Sequence, residues 1–161
     1  MLFRSQASKQ ELKKLAHGKK RFDCCADLGY AAENTFGNAK EAAAWARFYK
    51  FKRIVLVTNA HGKSLSLKLE RTQLGGHFDA VVCAHDLGLP KEHLPFWEKM
   101  QSVEQFDKHA ALLIDDSLPV LRSARHYGIA QLLAVKNPDS KGPQKDAGEF
   151  AAFGSFTEIM P

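Results

Sequence analysis

From residue 53 onward the chain alternates short apolar runs with longer amphipathic stretches. Arg53-Ile-Val-Leu-Val57 is a β-branched run of the kind buried on both faces of a parallel sheet. Lys63 to Leu74 sets Leu65, Leu67, Leu69 and Leu74 among polar residues. Leu65, Leu67 and Leu69 also alternate as a strand would, but the Lys, Glu and Arg content and the Gly75-Gly76 stop predict a helix. Phe78 to Cys83 predicts a second strand. Pro95 to Val103 predicts a helix, with Phe96, Trp97, Met100 and Val103 at helical spacing and Pro95 near its start. Ala111 to Ile114 is the third predicted strand, Leu118 to Tyr127 a helix stopped by Gly128, and Gln131 to Val135 a fourth strand. Strand and helix in alternation imply right-handed crossovers and a parallel sheet. Asn137 to Pro143 is a loop of turn formers, and Glu149 to Ile159 a weakly amphipathic tail. The first fifty residues behave differently. Gln10 to Leu15 and Ala39 to Tyr49 have helical patterning, Lys19 to Asn38 has no clear period, and no long apolar strand occurs.

Length and composition narrow the class. A chain of 161 residues, 45% hydrophobic and 25% charged, suits one globular domain with a real core. No apolar run approaches a membrane span and no secretory pattern opens the chain, so no membrane partner is expected. The cysteines are Cys24, Cys25 and Cys83, an odd set without metal spacing, which predicts a reducing cytoplasm. The net charge is +5, with clusters at Lys13-Lys14, Lys19-Lys20-Arg21 and Lys50-Phe51-Lys52-Arg53. Such clusters suit nucleic-acid binding or a plain solvated face. Without a recognition motif, no nucleic-acid partner is expected.

The candidate chemistry lies where strands end. Leu112-Leu-Ile-Asp115-Asp116-Ser117 is an apolar run closed by two carboxylates and a hydroxyl. In open α/β sheets that tip is where ligands bind. Adjacent carboxylates repel unless a cation or shared proton relieves them, and hard oxygen donors favour magnesium. A helix N-cap at Asp116 or Ser117, ahead of Pro119, accounts for one carboxylate but not for both. Thr58-Asn59 closes the first run with a hydroxyl and an amide, chemistry that suits a phosphate cradle and also an ordinary turn. Lys91 follows the second strand in Gly88-Leu-Pro-Lys91-Glu92. In a parallel sheet these groups share one edge and can converge. Of the histidines, His61 stands directly after the cradle and is the one expected to touch substrate; His77 and His85 read as structural, and His109 and His126 as surface groups. Phe96 and Trp97 read as core, Arg122 and Arg125 as a solvated helix face, and Asp139 as a loop residue able to assist a metal site or simply to be solvated.

These residues resemble a known family. Thr58-Asn59 after Ile54-Val57, Lys91 after a strand and loop, and Leu112 to Ser117 look like the second, third and fourth motifs of the haloacid dehalogenase (HAD) superfamily. Thr58-Asn-Ala-His61, Lys68-Leu-Glu70, His85 and Gly88-Leu-Pro-Lys91-Glu92 resemble its GMP/IMP 5′-nucleotidase branch. The resemblance covers residues 52–161. It implies a Rossmann-like three-layer α/β sandwich and magnesium-dependent hydrolysis of a small phosphorylated metabolite. Thr58 and Asn59 would bind and orient the phosphoryl group, with His61 nearby. Lys91 would neutralise charge, and Asp116 would ligate magnesium with Asp115 beside it.

The first motif, Asp-x-Asp-x-Thr, which carries the family's nucleophile, is absent. Asp23-Cys-Cys-Ala-Asp27 has the wrong spacing. The family's first strand lies between the one ending at Thr58 and the one ending at Asp115, so the sheet is expected to lack its first central strand. Lys20 to Cys25, or a strand from another chain in an oligomer, would have to fill that slot. Residues 1–51 are unassigned and mostly helical, either a cap remnant or an artefact of the gene boundary. Leu2-Phe-Arg-Ser5 resembles a translated adaptor end. The chain is therefore expected to be inactive as written. The rival expectations are a non-catalytic phosphate- or metal-binding module, or an N-terminally truncated piece of such an enzyme.

Overall fold

A computed structural model describes residues 2–5, 35–72, 74–138 and 142–159. Its strands are β1 (Leu2–Ser5), β2 (Phe51–Thr58), β3 (Ala80–Cys83), β4 (Ala111–Asp115), β5 (Gln131–Val135) and β6 (Ala151–Phe153). Its helices are α1 (Thr35–Phe48), α2 (Gly62–Thr72), α3 (Ala84–Leu87), α4 (Leu94–Val103) and α5 (Leu118–Tyr127), with 3₁₀ turns at Leu74–His77 and Phe156–Ile159. The six strands form one sheet in the order β3-β2-β1-β4-β5-β6. β2 with β3, β4 with β5 and β5 with β6 are parallel.

Side chains alternate across this sheet with the two-residue period of a strand. Val55, Val57 and Leu113 point to one face, where Phe96, Trp97 and Met100 of α4 and Val120, Leu121 and Ala124 of α5 cover them. Ile54, Leu112 and Ile114 point to the other, where they meet Trp45 of α1, Phe153 and Phe156. The indole tips in these layers are satisfied. The Trp97 indole N–H donates to Ser123 Oγ at 3.0 Å, tying α4 to α5. Trp45 Nε1–H and the Tyr49 hydroxyl both donate to the Ile159 carbonyl at 3.1 Å, tying α1 to the last 3₁₀ turn. The Trp45 ring also stacks on Phe51 with centroids 5.1 Å apart. Ala42, Trp45 and Ala46 thus contribute side chains to the second core layer.

The slot between β2 and β4 is not empty, which corrects the expectation of a missing central strand. β1 fills it, antiparallel to both neighbours: Leu2 lies opposite Val55 and Leu113, and Phe3 opposite Ile54 and Leu112. Unpaired edges in a buried sheet are costly, so four extended residues suffice to relieve both neighbours at once. A four-residue run shows too little periodicity to be read as a strand. Lys20 to Cys25, the filler expected from sequence, and the helical pattern at Gln10 to Leu15 lie outside the described residues. The antiparallel direction decides which residues reach the sheet's C-terminal edge. β1 pairs no further than Val55 and Leu113, while Leu56–Thr58 of β2 and Ile114–Asp115 of β4 run past it toward that edge.

Smaller departures have local causes. β3 begins at Ala80 rather than Phe78, because Asp79 caps the neighbouring backbone: its Oδ2 accepts the Ile54 N–H at 2.7 Å, and its own N–H donates to the Ile54 carbonyl at 2.8 Å. The tail, expected to be one amphipathic stretch, splits into β6 and a 3₁₀ turn, both too short to show a period. No helix among the described residues is long and apolar enough to cross a membrane.

Candidate functional site

The loops at the C-terminal edge hold the groups that the sequence pattern put there. Asn59 follows β2 and acts as a clasp. Its Oδ1 accepts the Lys91 N–H at 3.1 Å, and its Nδ2 donates to both Glu92 carboxylate oxygens at 3.0 Å. Gly88 ends α3 in the left-handed region, φ 70°, where a Cβ would be strained, and this turns the chain back toward Asn59. The Lys91 ammonium then reaches Asp115 Oδ2 at 2.6 Å, with both side chains at or below 11% exposure. The other Asp115 oxygen accepts the Ser117 N–H at 3.1 Å. Asp115 is therefore fully engaged. Ser117 stands at the N-cap of α5 but makes no side-chain cap, so the capping explanation of this motif does not describe it.

Asp116 is half-buried and meets a different cation, the Lys145 ammonium. Burial pulls its carboxyl upward. The Lys145 hydrogen bond and charge, a backbone N–H and the Lys91 charge more than reverse that, holding it below the ordinary carboxylate value. Thr58 Oγ1 accepts the Ala60 N–H at 3.0 Å, which leaves its own O–H as a donor. His61 is exposed. Its ring lies 4.4 Å from that of His85, and its Nδ1 accepts the Lys63 N–H at 3.3 Å.

A cavity of about 450 Å³ opens at this edge, lined by the parts of β2 and β4 that run past β1. Thr58, Lys91, Asp115, Asp116, Asn137 and Ser155 supply its polar rim, and Leu65, Leu69, Phe78 and Phe156 are among its apolar walls. The structure thus gathers four of the six sequence-derived site residues around one space. Asn59 sits behind Lys91 as a positioning residue, and His61 does not line the cavity. Asn137 opens the loop that the sequence placed on this edge, either reaching substrate or as plain surface; Ser155 was not singled out by sequence, nor was Lys145, an isolated lysine in a polar loop with no pattern to mark it. Asp23, Cys24, Cys25, Asp27 and Asp139 lie outside the described residues.

Donor chemistry decides whether magnesium suits this edge. Among the described residues no group of three or more His, Cys, Asp or Glu is arranged to hold a metal. Magnesium, however, needs only one or two carboxylates together with water and phosphate oxygens. Asp115 is committed to Lys91, so Asp116 is the available hard donor, and the set fits with Lys145 as a competing cation.

Residues 49–134 match the haloacid dehalogenase-like hydrolases. The chain belongs to that family. The HAD match begins just after α1, so neither β1 nor α1 belongs to it. The chain is 34% identical over 110 residues to the GMP/IMP nucleotidase YrfG of Escherichia coli (strain K12), and equally to that of Shigella flexneri. Each alignment covers 68% of this chain, which spans half the length of these curated relatives. Solved HAD structures share the fold. The L-2-haloacid dehalogenase from Xanthobacter autotrophicus with chloropropionic acid covalently bound superposes with TM-score 0.52 at 16% identity, over 62% of this chain and 38% of that one. A dehalogenase with an intermediate complex gives TM-score 0.60 at 12% identity, over 78% of this chain and 54% of its own. These likenesses establish a Rossmann-like HAD core.

Proposed function

We propose that the chain carries the phosphate- and metal-binding machinery of a HAD-type phosphatase, with a purine nucleoside 5′-monophosphate as its substrate class. The convergence of Thr58, Lys91, Asp115 and Asp116 on one cavity carries this reading. The likeness to the nucleotidase YrfG supports the substrate class. Phosphoryl transfer is mostly positioning and charge neutralisation, and these residues suit both tasks. The Thr58 O–H donates to a phosphate oxygen. The Lys91 ammonium, fixed by Asp115 and by the Asn59 clasp, neutralises a second oxygen without having to reorganise. Asp116 would hold magnesium, which would supply positive charge to offset that of the phosphate and the carboxylates.

A nucleophile is what this arrangement lacks among the described residues. β1 runs antiparallel, so its described end nearest the edge is Leu2, and among the described residues no carboxylate stands between Thr58 and Asp115 there. The chain as given should therefore bind a phosphate ester without turning it over, as a non-catalytic module of phosphatase descent. Phosphate release from GMP, IMP and an aryl phosphate with magnesium tests this. Release at the level of a protein-free blank is expected. Turnover abolished by Asp116→Ala but unaffected by Asp23→Ala would show a nucleophile this reading has overlooked.

A further inference from the structure

Asp116 carries its own cation, and the segment that delivers it is held on both sides. The Lys145 N–H donates to the Lys136 carbonyl at 2.8 Å, just past the end of β5. Four residues later Glu149 accepts from Arg122 at 3.0 and 3.1 Å and from Arg125 at 2.9 Å. The Arg125 guanidinium also sits 5.0 Å from the Phe150 ring centroid. Between these anchors, Gly148 adopts φ 54° and passes so close to Leu118 that a Cβ would lie 3.2 Å from its side chain. Residues 142–150 thus form a strap along α5, and the strap places the Lys145 ammonium on Asp116. The charges match one to one: Lys91 serves Asp115 and Lys145 serves Asp116. A carboxylate doublet that would otherwise need an outside cation has two supplied by the chain.

We propose that Lys145 is a built-in counter-cation seated on the metal-binding carboxylate, so that a divalent cation reaches Asp116 only by displacing the Lys145 ammonium. The proposal rests on the reading of Asp116 as the metal donor. The pair is partly solvated, with side chains 50% and 39% exposed, so the competition is a matter of a few-fold rather than a block. Coupling of this kind is reciprocal. Metal that displaces the ammonium also weakens the hold of the strap, and a weakened strap binds metal more tightly.

Titration calorimetry of the full chain with Mg²⁺ or Mn²⁺ alone tests it, without substrate or turnover. Lys145→Met is compared with wild type, with Asp116→Asn, and with Lys136→Met as a control for general charge. Lys145→Met is expected to bind about threefold to tenfold tighter. Lys136→Met is expected to match wild type, and Asp116→Asn to lose the binding. In wild type, saturating Mg²⁺ is also expected to speed hydrogen exchange at the Lys145 amide. If Asp116→Asn abolishes binding while Lys145→Met is unchanged or weaker, or if Lys136→Met tightens it equally, competition by Lys145 is wrong and the metal reading stands. If no variant binds metal, or Asp116→Asn is indifferent, the metal reading fails and takes this proposal with it.

Discussion

Two buried carboxylates in this chain are handled in opposite ways. Asp115 is paired: Lys91 and the Ser117 N–H take both its oxygens. A buried pair adds little net stability over an apolar one, but breaking it leaves an uncompensated charge. Asp115→Leu is expected to cost about 3–5 kcal/mol in urea unfolding, and adding Lys91→Met should recover part of that loss. Simple additivity of the two changes would show that the ion pair does not hold this edge together. Glu41 of α1 is unpaired among the described residues. It is 2% exposed, and neither of its oxygens has a hydrogen-bond partner among the described residues. Burial raises its pKa above 4.5. A raised folded-state pKa gives stability that is full below the unfolded value and is lost as pH rises through the folded one. Glu41→Leu is therefore expected to stabilise the protein by about 1–3 kcal/mol at pH 7, with the gain shrinking toward pH 4. Thermal melts of both proteins at the two pH values check this, and a gain that grows on acidification would contradict it.

At the scale of elements, legibility followed length and apolar contrast. The α5 bounds and the β5 bounds match the pattern to the residue, because each is a long or strongly apolar run with clear punctuation. Gly128 ends α5 at φ 102°, its N–H donating to the Ala124 and Arg125 carbonyls. The Lys108 side chain lies 3.5 Å from where a Cβ would be. Gly128→Ala should cost roughly 1 kcal/mol, read as a lower melting temperature. β1, β6 and α3 were not legible, since three or four residues carry no period and their state is set by neighbours. The edge site was legible because topology alone brings strand tips together. Lys145 was not, because its partner lies 29 residues away across a loop. β1 is the element whose role is easiest to test. Phe3→Pro removes the Phe3 backbone donor from a central strand and fits poorly there. A loss of at least about 1 kcal/mol is expected in urea unfolding. Unchanged stability would show that Leu2–Ser5 does not complete the sheet.

At the scale of the molecule, a HAD core has its charged edge assembled around a slot filled from the wrong direction. The sheet order places β1 between the two strands whose tips carry Thr58 and Asp115. An antiparallel strand satisfies the backbone of its neighbours as well as a parallel one, yet it brings Leu2 rather than a C-terminal carboxylate to the edge. The expectation of a partner strand rested on an empty slot, and β1 fills the described part of that slot within the chain. Among the described residues the edge holds a cavity with two cations and one available carboxylate, a set that suits holding a phosphate. The most direct test is calorimetric titration of GMP into the wild-type chain with and without magnesium, alongside Thr58→Val and Asp116→Asn. Binding that depends on magnesium, weakened at least about tenfold by Asp116→Asn and less by Thr58→Val, is the expected result. Binding that ignores both magnesium and Asp116, or no binding at all, would contradict a phosphate site at this edge.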